Sequence, residues 1–451
     1  MKLVVIGDGK VGRSIIEHVS KEGHEIVVID IDPESIEQIV EKYDVLAICG
    51  NGASYDIQKS AGVDKNSIVI AATDSDETNI LSCLIAKKLG AKSTIARVRS
   101  YEYVNQIGII KNDLGITMTI NPEKEAANEI TKIINFPEAL HIDSFATGKL
   151  DIVELYIPEN NELVGLQLSQ LHKKYSSRVL VCAVQRDEDV IIPTGQFVFQ
   201  AKDKIHITAK KSEIKSFITK ANLVEDKIKD VLIIGGGKIS VYLGKELLKN
   251  KYNVKIIENN YERCEELSEI LPNASVICGD GSDQTVLQEE GIEQSDAVIC
   301  ATGIDEENII VSIYAYKLGI KKVVTKISKT SLVGLMESIS LASVISPQEI
   351  TATKIISYLR ALNNSRGSNI VNLHKLINNK VEALEFIAKE DKNITGIQLK
   401  DLKLKENTMI AAIIKDGQII YPSGTDIIEE NDNVIVVTTN QFLDDLSYIF
   451  E

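Results

Sequence analysis

The feature that most constrains this chain is that it repeats itself. Sliding the 451-residue sequence over itself produces matches at a spacing of 228 to 231 residues. Gly7 meets Gly235, and Asp30 meets Glu258. Cys-Gly-Asn-Gly at 49–52 returns as Cys-Gly-Asp-Gly at 278–281, and Ala72-Thr73 with Asn79 returns as Ala301-Thr302 with Asn308. The register runs on beyond these segments. Gly165-Leu166-Gln167-Leu168 parallels Gly396-Ile397-Gln398-Leu399, and Pro193 with Gly195 parallels Pro422 with Gly424. Each half thus carries two modules and the chain four, as suits a length beyond that of one hydrophobic core.

In the first half, β-branched runs at 2–7, 25–30, 44–49, 67–72 and 93–98 read as strands, with helical patterns between them. Asp32-Pro33 offers an N-cap and a first helical proline, while Gly23 and Gly90 stop helices. Near-continuous apolar strands joined by helices predict a parallel sheet covered on both faces. The following stretch reads differently, with strands at 150–157, 179–185 and 204–209 and a helix at 166–174. The expected fold is α/β, with two doubly wound, Rossmann-like nucleotide-binding domains at 1–136 and 228–362. Each is followed by a small α+β domain, at 137–224 and 368–451.

Gly7-Asp8-Gly9-Lys10-Val11-Gly12 follows the first strand directly and opens a helix, the setting in which a Gly-x-Gly-x-x-Gly turn binds a dinucleotide. Gly7 permits the tight turn, Gly9 admits a pyrophosphate and Gly12 lets helix and strand pack closely. The helix N-terminus then offers amide groups and positive charge to an anion. Asp30 ends the second strand, 18 residues past Gly12, where a carboxylate can accept both ribose hydroxyls. A 2′-phosphate there would meet like charge, which disfavours NADP. Asn51, Thr73 and Asp74 fall at the carboxyl edge of the sheet, with Asn51 and Thr73 as candidate hydrogen-bond donors. Arg97, at the end of the fifth strand, is placed either to meet phosphate or to form an intersubunit ion pair.

The second turn, Gly235-Gly236-Gly237-Lys238-Ile239-Ser240, keeps the first two functional glycines and has Ser at the third. Glu258 retains the ribose-binding carboxylate, Asp280 and Thr302 stand where Asn51 and Thr73 stood, and Lys326 replaces Arg97. A degenerate, purely structural domain is the rival reading for this half.

Composition narrows the function classes. A net charge of -15 disfavours a nucleic-acid partner. Apolar runs are of strand length, short of the ~20 residues that cross a bilayer, so a membrane role without direct insertion is expected. A cytoplasmic location follows, with no signal-peptide pattern at the N-terminus. The six cysteines show no zinc spacing and are expected to be reduced thiols, with Cys49, Cys278 and Cys300 buried at the ends of apolar runs. The helical segments at 124–134 and 349–359 carry apolar residues beyond one sheet face, and are expected to bury them against another domain or subunit. The six histidines do not form an evident proton relay, which weighs against an NAD-dependent oxidoreductase, the main alternative function.

These residues together, with the Ala-Thr-Asp-Ser-Asp-Glu-Thr-Asn run at 72–79 and Ile-Ala-Arg at 95–97, resemble the TrkA family, the tandem RCK (KTN) regulatory subunits of bacterial Trk potassium uptake systems. The resemblance covers the whole chain. It implies a non-enzymatic homotetramer, peripheral on the cytoplasmic membrane face through a TrkH-like potassium-translocating subunit, with domains that respond to NAD(H) or to ATP and ADP. Carried over by position, it implies ligand contacts from Gly7 to Val11, Asp30, Thr73, Asp74 and Arg97. Small domains of this type bind second messengers in some relatives.

Overall fold

The computed structural model describes residues 1–20, 23–100, 103, 108, 114–136, 139–145, 150–223, 228–329, 331–332, 343–364, 370–377, 380–391, 393–440, 443 and 445–451. The expected domain junctions at 137, 224 and 368 lie outside the described residues. The chain forms two compact units: Met1–Thr131 with Lys229–Ile356, and Lys132–Ile228 with Ser357–Glu451.

The first unit holds the two parallel sheets. In the first half, β1 (Lys2–Ile6), α1 (Lys10–Val19), β2 (Glu25–Asp30), α2 (Pro33–Lys42), β3 (Leu46–Cys49), α3 (Tyr55–Ser60), β4 (Ser67–Ala71), α4 (Asp76–Lys88) and β5 (Ser93–Arg97) alternate strand and helix, and β6 (Met118–Ile120) and α5 (Pro122–Asn135) follow. The strands pair in parallel, in the order β3-β2-β1-β4-β5-β6. Strands β1 and β4 read Leu-Val-Val-Ile and Ser-Ile-Val-Ile-Ala because both faces of the sheet are covered, and these residues are almost fully buried. The strand order reverses between β1 and β4, which opens a crevice at their carboxyl ends. The three-residue β6 escapes recognition in the sequence because its Met-Thr-Ile is too short to show a period.

The second half repeats this plan. Its elements are β12 (Asp230–Ile234), α8 (Lys238–Lys249), β13 (Asn253–Glu258), α9 (Tyr261–Ile270), β14 (Ser275–Cys278), α10 (Gln284–Glu289), β15 (Ala297–Cys300), α11 (Asp305–Lys317), β16 (Lys322–Lys326), β17 (Ser343–Ile345) and α12 (Pro347–Asn364), with strand order β14-β13-β12-β15-β16-β17. Polar contacts join the two halves: Ser14 Oγ donates to Glu349 Oε1 at 2.9 Å, Asn121 Nδ2 donates to Tyr242 Oη at 3.1 Å, and Glu125 pairs with Lys354. Ala126, Ala127 and Ile130 of α5 and Ala352 and Ile355 of α12 are buried. The apolar surplus of these helices is therefore covered within a single chain.

The second unit contains two antiparallel five-stranded sheets. One runs β10 (Asp189–Ile191), β9 (Leu180–Arg186), β11 (Lys204–Thr208), β8 (Leu150–Tyr156), β7 (Ala139–Phe145). The other runs β18 (Ile370–Leu376), β19 (Val381–Ile387), β22 (Asn433–Thr438), β20 (Thr408–Lys415), β21 (Gln418–Ile420), which is the same plan. The expected helix appears as α6 (Leu168–Tyr175), followed later by α7 (Lys211–Lys220). At the position of α6 the second copy has only a 3-10 turn, Leu399–Asp401. Leu150, Ile152 and Ala183 share one apolar cluster with Ala383, Ala411 and Ile435, so residues of both sheets form one core.

Candidate functional site: the Gly-rich turns and their crevice

Each Gly-rich turn is fixed by sterics. Gly7 has φ +99°, and a Cβ there would lie 2.8 Å from the Thr73 amide nitrogen. At Gly12 a Cβ would come within 1.9 Å of the Gly7 carbonyl oxygen, so close packing of α1 on β1 demands glycine. In the second half the same position is Ser240, fully buried, whose hydroxyl donates to the Gly235 carbonyl.

Gly9 and Gly237 differ from these structural glycines. A Cβ at either would meet nothing within 4 Å, so the protein itself does not require glycine there. Both residues are helix N-caps without a side-chain cap. By contrast α2, α4, α9 and α10 are capped by Asp32, Ser75, Asn260 and Asp283. Open space before uncapped amide groups is what a bound phosphate requires.

The two acids occupy matching positions. Asp30 Oδ2 accepts the Asp8 N–H at 2.6 Å and Oδ1 accepts the Asp32 N–H at 2.9 Å. Glu258 Oε2 accepts the Gly236 N–H at 2.6 Å and Oε1 the Asn260 N–H at 2.9 Å. Each oxygen keeps a lone pair for a ribose hydroxyl. Asp8 itself turns inward, where Ser35 Oγ donates to it at 2.7 Å and Arg13 Nε at 3.0 Å. Burial holds its carboxyl above the ordinary value despite these bonds.

Several candidate residues serve the loops more than a ligand. The Thr73 hydroxyl donates to Asn79 Oδ1 at 2.7 Å, and the Thr302 hydroxyl to Asn308 Oδ1 at 2.9 Å, so neither proton is free as a donor. Asn79 Nδ2 in turn donates to the carbonyls of Thr73 and Arg97, and Asn308 Nδ2 to those of Thr302 and Lys326. These buried asparagines hold the loops after strands four and five together. Their agreement in the repeat was the available signal for this role. Asn51 Oδ1 accepts the Ala53 N–H at 2.9 Å, and Asp280 Oδ1 accepts the Ser282 N–H at 2.8 Å, both as turn acceptors. The Ser282 backbone bond, then its hydroxyl, holds Asp280 below the usual carboxylate value. Asp74 is exposed, with Arg97 Nη1 at 3.4 Å.

A crevice of about 570 Å³ runs along the second turn, lined by Gly235, Gly236, Gly237, Lys238, Ile239, Glu258, Asp280, Thr302 and Lys326. Lys10, Val11, Arg97 and Glu123 of the first half form its opposite wall. Arg97 is nearly buried and its Nε has no hydrogen-bond partner. Burial, and then the neighbouring Arg99, lower its pKa. Lys326 Nζ donates to the Thr302 carbonyl at 2.7 Å. The sequence placed these cations in separate domains; the packing of the two halves brings them to one crevice.

Cys49 and Cys278 are exposed, contrary to expectation, because β3 and β14 are edge strands whose ends face solvent; Cys300, on the inner strand β15, is buried as expected.

The TrkA-N domain matches residues 3–122 and 231–347, and the TrkA-C domain matches residues 152–221 and 383–450. The chain belongs to the TrkA family. It is 31% identical to the Trk system potassium uptake protein TrkA of Vibrio alginolyticus, over all of this chain and 99% of that one. It is 30% identical to the TrkA homolog of Archaeoglobus fulgidus, over the full length of both. Among solved structures, the GsuK channel bound to NAD superposes with a TM-score of 0.63 at 16% identity, covering 98% of this chain and 77% of that one. The GsuK RCK domain gives 0.61 at 15%, covering 98% and 92%. The TrkA family relationship thus extends over both halves, and the RCK fold with it. No described helix is long and apolar enough to cross a membrane.

Proposed function

We propose that this chain is a nucleotide-sensing regulatory subunit that docks on a TrkH-like potassium-translocating membrane subunit and gates it from the cytoplasmic face. The observation that carries the reading is the crevice of the second half, walled by cations of the first. A ligand there touches both halves at once, and its differential affinity for two arrangements of the halves is the lever that gating needs. The adenosine half of NAD(H), ATP or ADP suits the carboxylates Asp30 and Glu258, and its phosphates suit the amides of Gly9–Val11 and Gly237–Ile239 with Arg97 and Lys326. The full-length likeness to Trk potassium uptake proteins supports the transport role. Likeness in fold to GsuK, seen with NAD and with ADP, supports the choice of nucleotides. A homotetramer, with the domain boundaries expected from the repeat, completes the proposal.

Catalysis is the rival. Among the described residues, the crevice lining contains no histidine to move a proton beside a nicotinamide. The test is potassium uptake under limiting potassium in a strain lacking this protein and any redundant system. Uptake should fall on deletion and return with the wild-type chain, but not with Gly9→Asp, whose side chain occupies the space before the α1 amides. Uptake equal to the parent strain's after deletion would overturn the regulatory role. Turnover of NADH with carbonyl substrates would favour the oxidoreductase.

A further inference from the structure

Cys264 and Cys278 lie together at the ribose edge of the second crevice. Cys278 ends β14, and its Cα pairs in register with that of Glu258 on β13. Cys264, in the first turn of α9, places its Sγ 3.3 Å from the Glu258 carbonyl oxygen and 3.9 Å from that of Ile277, the residue before Cys278. Its thiol therefore sits over the seam between the two strands, against the carbonyl of the peptide bond that joins Ile277 to Cys278. One thiol is buried and the other exposed. Burial first, and then the Cys278 sulfur, push the Cys264 thiol up to about 11, so Cys264 keeps its proton while Cys278 meets solvent. In the first half the position equivalent to Cys264 is Ile36, so the pair is particular to the second half.

We propose that Cys264 and Cys278 form a reversible dithiol–disulfide site, oxidised by peroxides, that alters the second ligand crevice. The Cys278 thiolate attacks a peroxide oxygen and becomes a sulfenic acid as the O–O bond breaks and the other oxygen leaves, taking up a proton to become water. The Cys264 sulfur then attacks the sulfenic sulfur, and its proton leaves with the hydroxyl as a second water. Two electrons and two protons pass from the thiols to one peroxide, and low-molecular-weight thiols reverse the step. The new bond would draw the start of α9 toward β14. That turn carries two contacts of the crevice: Asn260 N–H to Glu258, and Arg263 Nε to the Gly236 carbonyl at 2.8 Å.

The site stands on the thiol geometry, whereas its effect on ligand rests on the nucleotide reading above. The reduced full-length protein, treated with hydrogen peroxide, alkylated, digested and weighed, should yield a peptide pair joining Cys264 and Cys278, lighter by two hydrogens and restored by dithiothreitol. Cys264→Ser should abolish the pair and leave Cys278 open to sulfenic-acid trapping. Cys264 fully alkylated after peroxide, with Cys278 carried on to sulfinic acid or to a bridge between chains, would overturn the site. In the Asp30→Ala chain, which leaves the second half as the main site, oxidation should weaken NADH or ADP by about fivefold or more. A cross-link with unchanged affinity overturns the coupling alone. If the reduced Asp30→Ala chain binds neither nucleotide, the failure belongs to the functional reading of the second half.

Discussion

Lys10 of the first half and Lys326 of the second line the same crevice, so cations from the two halves meet in one place. Burial is the larger reason that Lys326 sits below the ordinary lysine value; Asp305 opposes the shift, and Lys10 adds to it. The two halves thus hold positive charge in a place that favours its neutralisation, which an anionic ligand supplies.

Lys326→Met should accordingly weaken a nucleotide while sparing the empty protein. Loss of a charged hydrogen bond of ~1.5 to 3 kcal/mol predicts about tenfold weaker binding or more by calorimetry. The unfolded chain binds the Lys326 proton more tightly than the folded one, so the cost of this lysine is fully present at neutral pH. It fades as pH rises through the lowered folded value toward 10.5. Urea melts should therefore place the variant level with or above wild type at pH 7, with any advantage shrinking in alkali. Asn308 still donates to the Thr302 carbonyl that Lys326 leaves. A variant that binds as tightly as wild type would remove Lys326 from the site.

The carboxylates report which half is occupied. Asp30→Ala and Glu258→Ala each remove the ribose acceptor of one crevice, and each should weaken NADH, ATP or ADP at its own half by roughly tenfold or more. Calorimetry on both folded variants would rank the halves. Affinity unchanged in both would end the ribose assignment for Asp30 and Glu258 alike.

Much of this site was legible before folding. The repeat, with Gly7, Gly9, Gly12, Asp30 and Glu258, fixed the two turns and their acids, because backbone sterics and strand–helix order are local properties. The shared wall was not legible, since Lys10 and Arg97 reach the second crevice only through the packing of one half on the other. Thr73 looked like a ligand donor because a sequence cannot show that Asn79, six residues on, accepts its hydroxyl's hydrogen bond. Cys278 looked buried because an apolar run reads alike on an inner strand and on an edge.

The glycines separate fold from function. Gly12→Ala drives a methyl into the Gly7 carbonyl and should cost about 1 to 3 kcal/mol of stability, whatever the ligand. At Gly9 a Cβ meets no protein atom within 4 Å, so Gly9→Asp should melt near wild type, yet lose nucleotide, because its carboxylate repels the phosphate that the bare amides attract. Thermal melts paired with calorimetry check both. A Gly9→Asp protein that retains full affinity would place the phosphate elsewhere.

Assembly should depend on the outer faces of α4 and α11. Leu81 is 48% exposed on the first, and Ile310 and Tyr316 are 65% and 46% exposed on the second. Apolar residues at equivalent places in both halves are poorly explained by a lone chain, whose α5 and α12 faces are already covered from within. Burying them between copies would produce the tetramer proposed above. Light scattering at micromolar concentration should then give about four times the 49.7 kDa of one chain. Ile310→Asp should lower that mass, since a carboxylate cannot enter an apolar interface without a partner, while leaving the melting of the chain's own core largely unchanged. A wild-type protein that weighs as a monomer would contradict the assembly, and an Ile310→Asp protein that stays tetrameric would move the interface away from α11.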